Sequence, residues 1–576
     1  MDEDVPKQKP QSPKTARRSL SPEHKPGSPK TDRRSFSPEQ KPKFDKKISG
    51  SGHAAAKANA KQKKQKLIDK RNKLNGFDEV LVCDIDKLLK SNESKQAEVN
   101  VDSGPLVLPE TFTELDVKIS VISSTGDGLA LAENGKHVYV VPFTVPGDVA
   151  RVKVIKHFKP LSYSLTDFIK VVEPGPQRND ANIGCKYFGQ CSGCQLQMMS
   201  YEDQLAHKRR VVEKAYANFS GLIPELVPAV EPTFASPKQY GYRTKLTPHF
   251  EINLKGPKGV PRAPQVPPIG YTYKNQRKEI DIEDCPLGTD IVRRGLKSER
   301  KRVAENIESY KRGATLLMRE STTRIPKDDT KRKSMIGEMA RARETGDVIR
   351  IEHETYTEEK RCVTDNNAIS YEYVDDYLFT NKAGAFFQNN NSILSGFTEY
   401  IRSKAIPANN DQDAKPIKYL LDAYSGSGLF TITLSPLFKS SLGVDIGSDS
   451  IISARQNVVE NNIKNTGFAA ADATTLFKDV PYPPDQTLLV IDPPRKGCSD
   501  DFLRQLLEYK PRRVVYVSCN VHTQARDVAV MVQGNEKNNV RYEIESIRGF
   551  DFFPQTGHVE GVAILNRASF PKEDKA

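Results

Sequence analysis

No stretch of this 576-residue chain approaches the roughly 20 consecutive apolar residues that a membrane helix needs. The N-terminal MDEDVPKQKPQSPK has no apolar core, so it does not read as a secretory signal. Hydrophobic residues make up only 37% of the chain, too few for one compact globule, and a polar tail accounts for the deficit. Cysteine is sparse at eight residues, which excludes a disulfide scaffold and suits a reducing, intracellular compartment, cytoplasmic or nuclear. Most of the chain also lacks net charge. Residues 1–75 hold 21 Lys/Arg against 8 Asp/Glu, which is the whole net charge of +13, and the remainder is neutral. A nucleic-acid surface on the folded part must therefore be a local patch. Oligomeric state is unreadable, with monomer the default expectation.

What is present divides the chain. Residues 12–43 hold a 16-residue near-repeat, SPKTARRSLSPEHKPG then SPKTDRRSFSPEQKPK, rich in Pro and Lys/Arg and without a core-forming pattern. It reads as a disordered basic tail, 1–75. Ser12, Ser21, Ser28 and Ser37 each precede proline, and phosphates there would cut the positive charge. Residues 56–75 form a basic arm suited to nuclear localisation, to RNA contact, or to solvation alone. A linker, 76–112, follows. Residues 113–175 carry five short β-rich runs spaced by Gly, Asn and Pro, which predicts a small OB-like barrel. Lys153, Lys156, Lys159, Phe158 and Tyr163 are its candidate RNA surface. Residues 176–375 read as a mixed α+β middle domain. Residues 376–570 alternate strands with helices and predict a mostly parallel α/β sheet, with a short tail at 571–576.

Four strand ends in this last region carry chemistry. YLLDAYSGSG (419–428) is a strand, a glycine turn and a helix start, where the chain can approach a ligand closely. The dinucleotide fingerprint would place a third glycine at Thr431. Asp445 ends the next strand and is placed for a ribose diol, so NAD and S-adenosylmethionine both fit. LLVIDPPRKG (488–497) holds Asp492 before two prolines, a feature that dehydrogenases do not need and base methyltransferases commonly have. Finally, RRVVYVSCN ends an apolar strand on Cys519, which is either a packed thiol or a nucleophile.

AFFQNN (385–390), LLDAYSGSG (420–428), DPPRKG (492–497), SCN (518–520) and GHVE (557–560) occur in an order and spacing that resembles the RNA uracil-C5 methyltransferases. The likeness is greatest to the eukaryotic, fungal-type tRNA (uracil-54-C5) enzymes and covers about 113–569. It implies a Rossmann-like S-adenosylmethionine-dependent domain, a barrel of the TRAM type, and tRNA, through its T-arm, as partner. It implies methylation of uridine 54 in the T-loop, with Cys519 as the thiolate that adds to uracil C6 and Glu560 as the base that removes the C5 proton. It assigns Gln388, Tyr424, Asp445 and Asp492 to the cofactor, and Phe386 and Asp492 to the target base. The chain departs from some bacterial relatives at Leu429, where they carry Asn. Arg495 stands where cytosine-C5 enzymes place their cysteine, which leaves Cys498 a bystander. Cys185, Cys191 and Cys194, with Cys285 further on, are spaced for a metal centre or for plain packed thiols. The family pattern favours a 4Fe-4S cluster over zinc. Cys83 and Cys362 read as structural. Two rival readings stay open: the same chemistry on ribosomal RNA, and a non-catalytic RNA-binding or chaperone-like protein.

Overall fold

The computed structural model describes residues 76–99, 107–252, 265–327, 344–407, 415–472, 476–477 and 480–570. The chain divides into two units, Met1–Lys66 and Leu67–Ala576. The Ser-Pro repeats, the basic arm at 56–75 and the tail at 571–576 lie outside the described residues.

Where the sequence suggested a linker there is a 24-residue helix, α1 (Gly76–Val99). Its N-terminal half buries Val80, Leu81, Val82 and Ile85. Each contributes about 1.5–3 kcal/mol before ordering costs. Leu81, Val82 and Ile85 pack on a closed barrel of order β1-β2-β3-β5-β4, formed by β1 (Glu114–Ile122), β2 (Gly128–Leu131), β3 (Val138–Val141), β4 (Val149–Phe158) and β5 (Tyr163–Glu173). This removes Tyr163 from the expected RNA surface and leaves Lys156 and Lys159 exposed. Tyr163 is 4% exposed, Phe158 stacks on it at 4.6 Å between ring centres, and both belong to the cluster that α1 covers. Lys153 pairs with Glu114 at 3.3 Å.

Helix α2 (Tyr201–Phe219) and β6 (Glu231–Phe234) follow, then short strands β7 (Lys245–Leu246), β8 (His249–Phe250), β9 (Gly270–Thr272) and β10 (Glu279–Asp281). Helix α3 (Asp290–Glu305) leads to β11 (Ala314–Thr315), β12 (Met318–Pro326), β13 (Glu344–Glu352) and β14 (Tyr356–Val363). These strands make two four-stranded sheets, β10-β9-β8-β11 and β13-β14-β12-β7. A hairpin, β15 (Ile369–Val374) and β16 (Tyr377–Lys382), comes before the last region.

That region holds α4 (Leu394–Ala405), β17 (Tyr419–Ala423), α5 (Leu429–Thr433), β18 (Ser440–Asp445), α6 (Ser448–Glu460), β19 (Thr466–Ala470), β20 (Thr487–Ile491), α7 (Asp500–Tyr509), β21 (Arg513–Ser518), α8 (Val521–Gln533), β22 (Arg541–Phe550) and β23 (Glu560–Ala568). Its sheet runs β19-β18-β17-β20-β21-β23-β22-β6. The first five strands are parallel and β23 runs against both its neighbours. β17, β20 and β21 are almost wholly buried because helices cover both faces, so their apolar runs are continuous rather than alternating. One core layer collects residues of α2, α7 and α8, and the other residues of α4, α5 and α6. The expected boundary at 376 is therefore not a structural one. β6 pairs in parallel with β22 as the edge of the eight-stranded sheet, and α2 packs in its core.

Candidate active site

The parallel strands β17, β18, β20 and β21 end at one edge, and a cleft of about 760 Å³ lies there. Its lining includes Phe386, Gln388, Tyr424, Asp445, Asp492, Cys519 and Glu560, so the structure brings all seven expected site residues together.

The glycine turn after β17 is held from below. Asp422 is fully buried, and its Oδ2 accepts from the Thr431 backbone N–H at 3.0 Å and from the Thr431 hydroxyl. This explains Thr431 at the third glycine position: it ties the start of α5 to the strand. Gly428 has φ +94°, and a Cβ there would meet the Phe468 ring at 2.7 Å, so only glycine fits. Tyr424 has φ +64°, an uncommon conformation for an aromatic residue, and its ring packs on Phe502. Asp445 accepts from Gly426 N at 3.0 Å and Gly447 N at 2.6 Å, which fixes its carboxylate beside the turn.

Cys519 and Glu560 meet through sheet register. Ser518 on β21 pairs with Gly561 on the antiparallel β23. Cys519 and Glu560 come one step further, opposite each other at the sheet's end, where side chains of facing residues share a side. Glu560 is 5% exposed, and burial together with the Asp492 charge pushes its carboxyl up to about 8. Burial and Asp422 push Asp492 up to about 7. Burial, then Glu560, then Asp492 push the half-buried Cys519 thiol up to about 12. Arg495 alone among the charged neighbours acts the other way, lowering both Cys519 and Glu560. Its backbone carbonyl accepts from Asn520 Nδ2 at 2.9 Å and from the Thr523 hydroxyl at 3.2 Å, so the residues after Cys519 hold the Asp492–Gly497 loop. Sequence reasoning noted Arg495 only for not being cysteine; its place after Pro-Pro was the available signal. Cys498 lies half-buried, its N–H donating to Asp527 Oδ2 at 2.7 Å and its thiol 3.8 Å from the Tyr516 hydroxyl.

Phe386 is 77% exposed at the cleft mouth. Its loop is fastened at both ends. Lys245 Nζ donates to the carbonyls of Gly384 and Ala385 at 3.0 and 3.2 Å, and Thr244 N donates to Asn389 O at 2.9 Å.

Cys185, Cys191, Cys194 and Cys285 line a second cavity, of about 180 Å³, with Arg243, Tyr271 and Leu287. Burial raises all four thiols, Cys191 to about 11, and neighbouring thiols push Cys191, Cys194 and Cys285 the same way. Among the described residues, no group of three or more His, Cys, Asp or Glu is set to hold a metal ion. Cys362 is buried against Gly295. Among the described residues, no helix is long and apolar enough to cross a membrane.

A family profile described as tRNA (Uracil-5-)-methyltransferase matches residues 327–480 and 484–568. The chain is 44% identical over 464 residues to the tRNA (uracil(54)-C(5))-methyltransferase of Schizosaccharomyces pombe, covering 80% of this chain and 79% of that protein. It is 40% identical over 524 residues to the Saccharomyces cerevisiae protein of the same name, covering 85% and 81%. Among solved structures it is similar in fold to the Pyrococcus abyssi tRNA (uracil-54, C5)-methyltransferase in complex with S-adenosyl-L-homocysteine, at 23% identity and a TM-score of 0.50, covering 78% of this chain and 100% of that one. Sheet order and this likeness define the fold of an S-adenosylmethionine-dependent methyltransferase. The chain belongs to the tRNA (uracil-5-)-methyltransferase family, a family of enzymes.

Proposed function

We propose that the protein methylates C5 of uridine 54 in the T-loop of tRNA, with S-adenosylmethionine as methyl donor. The carrying observation is the facing pair, a thiol and a buried carboxyl at adjacent strand ends in a cleft that also holds the glycine turn. Uracil C5 is a poor nucleophile. Cys519 thiolate adds to C6, the C5=C6 electron pair moves to an O4 enolate, and C5 becomes nucleophilic. C5 then takes the methyl group, and the donor leaves as a neutral thioether. Glu560 carboxylate removes the C5 proton, that bond's electrons rebuild C5=C6, and the S–C6 bond breaks to return the thiolate. Both groups need positive charge to ionise in this setting, and Arg495 supplies it. Tyr424, Asp445, Asp492 and Gln388 hold the donor. Phe386 stacks on the target base once it has left its own stack, and Asp492 faces the ring edge.

The five-stranded barrel is read as OB-like, of the TRAM type, and as an RNA-binding module. The four-cysteine cavity suits a 4Fe-4S cluster. The donors are all thiols on one small cavity. Cys185, Cys191, Cys194 and Cys285 would hold it. Bound there, it would cross-link the segment 185–194 to the segment around Cys285.

The test is methyl transfer from labelled donor to unmodified tRNA by wild type, Cys519→Ala and Glu560→Gln, with ribosomal RNA fragments alongside. Wild type yields 5-methyluridine in tRNA, Cys519→Ala none, and Glu560→Gln a stalled covalent protein–RNA adduct. Product only on ribosomal RNA, or on neither RNA, overturns the tRNA assignment.

A further inference from the structure

Glu560 is carried into the cleft by the segment Asp551–His558. Most of that segment's hydrogen bonds to the rest of the chain go to residues 195–208; others run from Asp551 N to Phe234 O at 2.9 Å, from the Tyr242 hydroxyl to Pro554 O at 3.2 Å and from Asn390 Nδ2 to Phe552 O at 3.2 Å. The segment's centre is Gln555, 3% exposed and held at φ +71°, a left-handed conformation that costs a residue with a side chain about 1–3 kcal/mol. Four hydrogen bonds hold it there. Gln555 N donates to Gln204 Oε1 at 3.0 Å, and Gln204 Nε2 donates to Gln555 Oε1 at 3.0 Å. The backbone N–H groups of Gln195 and Leu196 both donate to Gln555 O, at 2.9 and 3.1 Å. Two residues on, Gly557 N donates to Gln195 Oε1 at 3.2 Å, while Gln195 Nε2 donates to Ser192 O at 3.1 Å. At the other end, buried Lys208 pairs with buried Asp551 and donates to Phe553 O at 2.9 Å. Gln204 is 1% exposed and lines neither the cleft nor the cysteine cavity.

A strained residue persists only where its surroundings over-determine it. Here the over-determination falls on the segment that delivers the carboxyl. We propose that Gln204 and Gln195 are positioning residues, which clamp Gln555 so that Glu560 is presented to C5 for proton removal. The proposal rests on the reading of Glu560 as the base. Gln195 directly follows Cys194, and its side chain bridges the Cys191–Cys194 turn to Gly557. The clamp is thus continuous with the wall of the four-cysteine cavity.

The step affected is specific. If the carboxyl is displaced, addition of Cys519 and methyl transfer still proceed. The C5 proton then stays, C5=C6 does not re-form, and the S–C6 bond is not released. The experiment compares Gln204→Leu, Gln204→Glu and Gln195→Ala with wild type and Glu560→Gln, on unmodified tRNA with labelled donor. It measures kcat, KM for tRNA and donor, thermal melting, and the fraction of enzyme migrating with RNA on a denaturing gel. Gln204→Glu keeps the acceptor for Gln555 N and loses the amide donor to Gln555 Oε1 and Met199 O, and Gln195→Ala leaves Gln204 intact. Both therefore serve if Gln204→Leu does not fold.

The expected result is a kcat lower by roughly 10- to 100-fold, the scale of an ångström of misplacement. KM values stay within about threefold, and covalent adduct accumulates, more in Gln204→Leu than in Gln204→Glu. Variants that lose activity without adduct, while Glu560→Gln accumulates it, overturn the clamp and leave the base assignment standing. Variants with wild-type kcat overturn it as well. Absence of adduct in Glu560→Gln itself overturns the reading of the base, and the clamp with it.

Discussion

Glu560→Gln should stabilise the folded protein, and increasingly so as the pH rises. The carboxyl is buried and Asp492 adds repulsion, which together outweigh Arg495, so it titrates at about 8 instead of 4.5. Between those values the folded chain keeps a proton that the unfolded chain has released. Stability therefore falls with rising pH across this window; below 4.5 both states carry the proton, and above 8 neither does. At 1.36 kcal/mol per pH unit the full displacement corresponds to roughly 5 kcal/mol. Part of it belongs to Asp492, which also titrates high and shares the same field, so the amide should recover about 2–4 kcal/mol. Urea unfolding of both proteins at pH 4, 6 and 8.5 measures this. The curves should nearly coincide at pH 4 and separate progressively, the glutamine variant being the more stable while it loses turnover. A difference independent of pH, or a variant less stable at pH 8.5 than at pH 4 relative to wild type, would refute the account of the buried carboxyl.

Three further outcomes follow from the same geometry. Alkylation of Cys519 by iodoacetamide at pH 9, followed by peptide mass spectrometry, should slow in Arg495→Ala and quicken in Glu560→Gln, each by roughly 3- to 10-fold, because the two neighbours act on the thiol with opposite sign; equal slowing in both would remove the electrostatic argument. Phe386→Ala should leave thermal melting unchanged, since the side chain is 77% exposed, yet lower kcat/KM for tRNA by about 5- to 150-fold, the worth of a lost stacking contact of 1–3 kcal/mol; a fall in melting temperature would mean that the ring is packed instead. Protein prepared without air should contain iron and sulfide, lost together with several degrees of melting temperature in Cys285→Ser, and protein free of iron in wild type would end the cluster proposal.

The strand ends were legible because each combines a period-2 or wholly apolar run with a residue type that runs cannot explain: Asp422 and Asp445 beside glycines, Asp492 before prolines, Cys519 after four apolar residues. Helix α1 was not legible. Leu81, Val82, Ile85, Leu88 and Leu89 face the barrel cluster, but Lys90 to Gln96 are all polar, so the apolar stripe ends after little more than two turns. The barrel's aromatic residues misled for the same reason: Phe158 and Tyr163 resemble a stacking platform until the helix that covers them is known. β6 was hidden by its length and by Pro232, and it joins the sheet only as an edge strand, where proline is tolerated. Gln204 and Gln555 stand 351 residues apart and pair once side chain to side chain and once side chain to backbone, contacts for which no local pattern exists.

The middle segments bear on the cleft through two fastenings rather than by contributing reactive groups. One is the clamp on Asp551–His558. The other is the run Arg243–Lys245, which holds the loop of Phe386 and Gln388 on one side and bonds to the Cys285–Thr289 segment on the other, with Arg243 N donating to Leu287 O at 2.8 Å and Thr289 N to Arg243 O at 3.0 Å. The four-cysteine cavity lies between these fastenings: Cys191 and Cys194 adjoin the first, and Cys285 adjoins the second. Loops are the least stable parts of a fold, and reacting groups must be held to within a fraction of an ångström. A cluster held by Cys185, Cys191, Cys194 and Cys285 would therefore tighten the segments that carry Phe386 and Glu560 together, although it would touch neither residue. On this argument Cys285→Ser and Cys194→Ser should each raise the adduct fraction and weaken tRNA stacking at once, measured as a fall in kcat with adduct retained and a rise in KM for tRNA. Loss of melting temperature with wild-type kinetic parameters in the surviving fraction would show instead that the cavity serves stability alone.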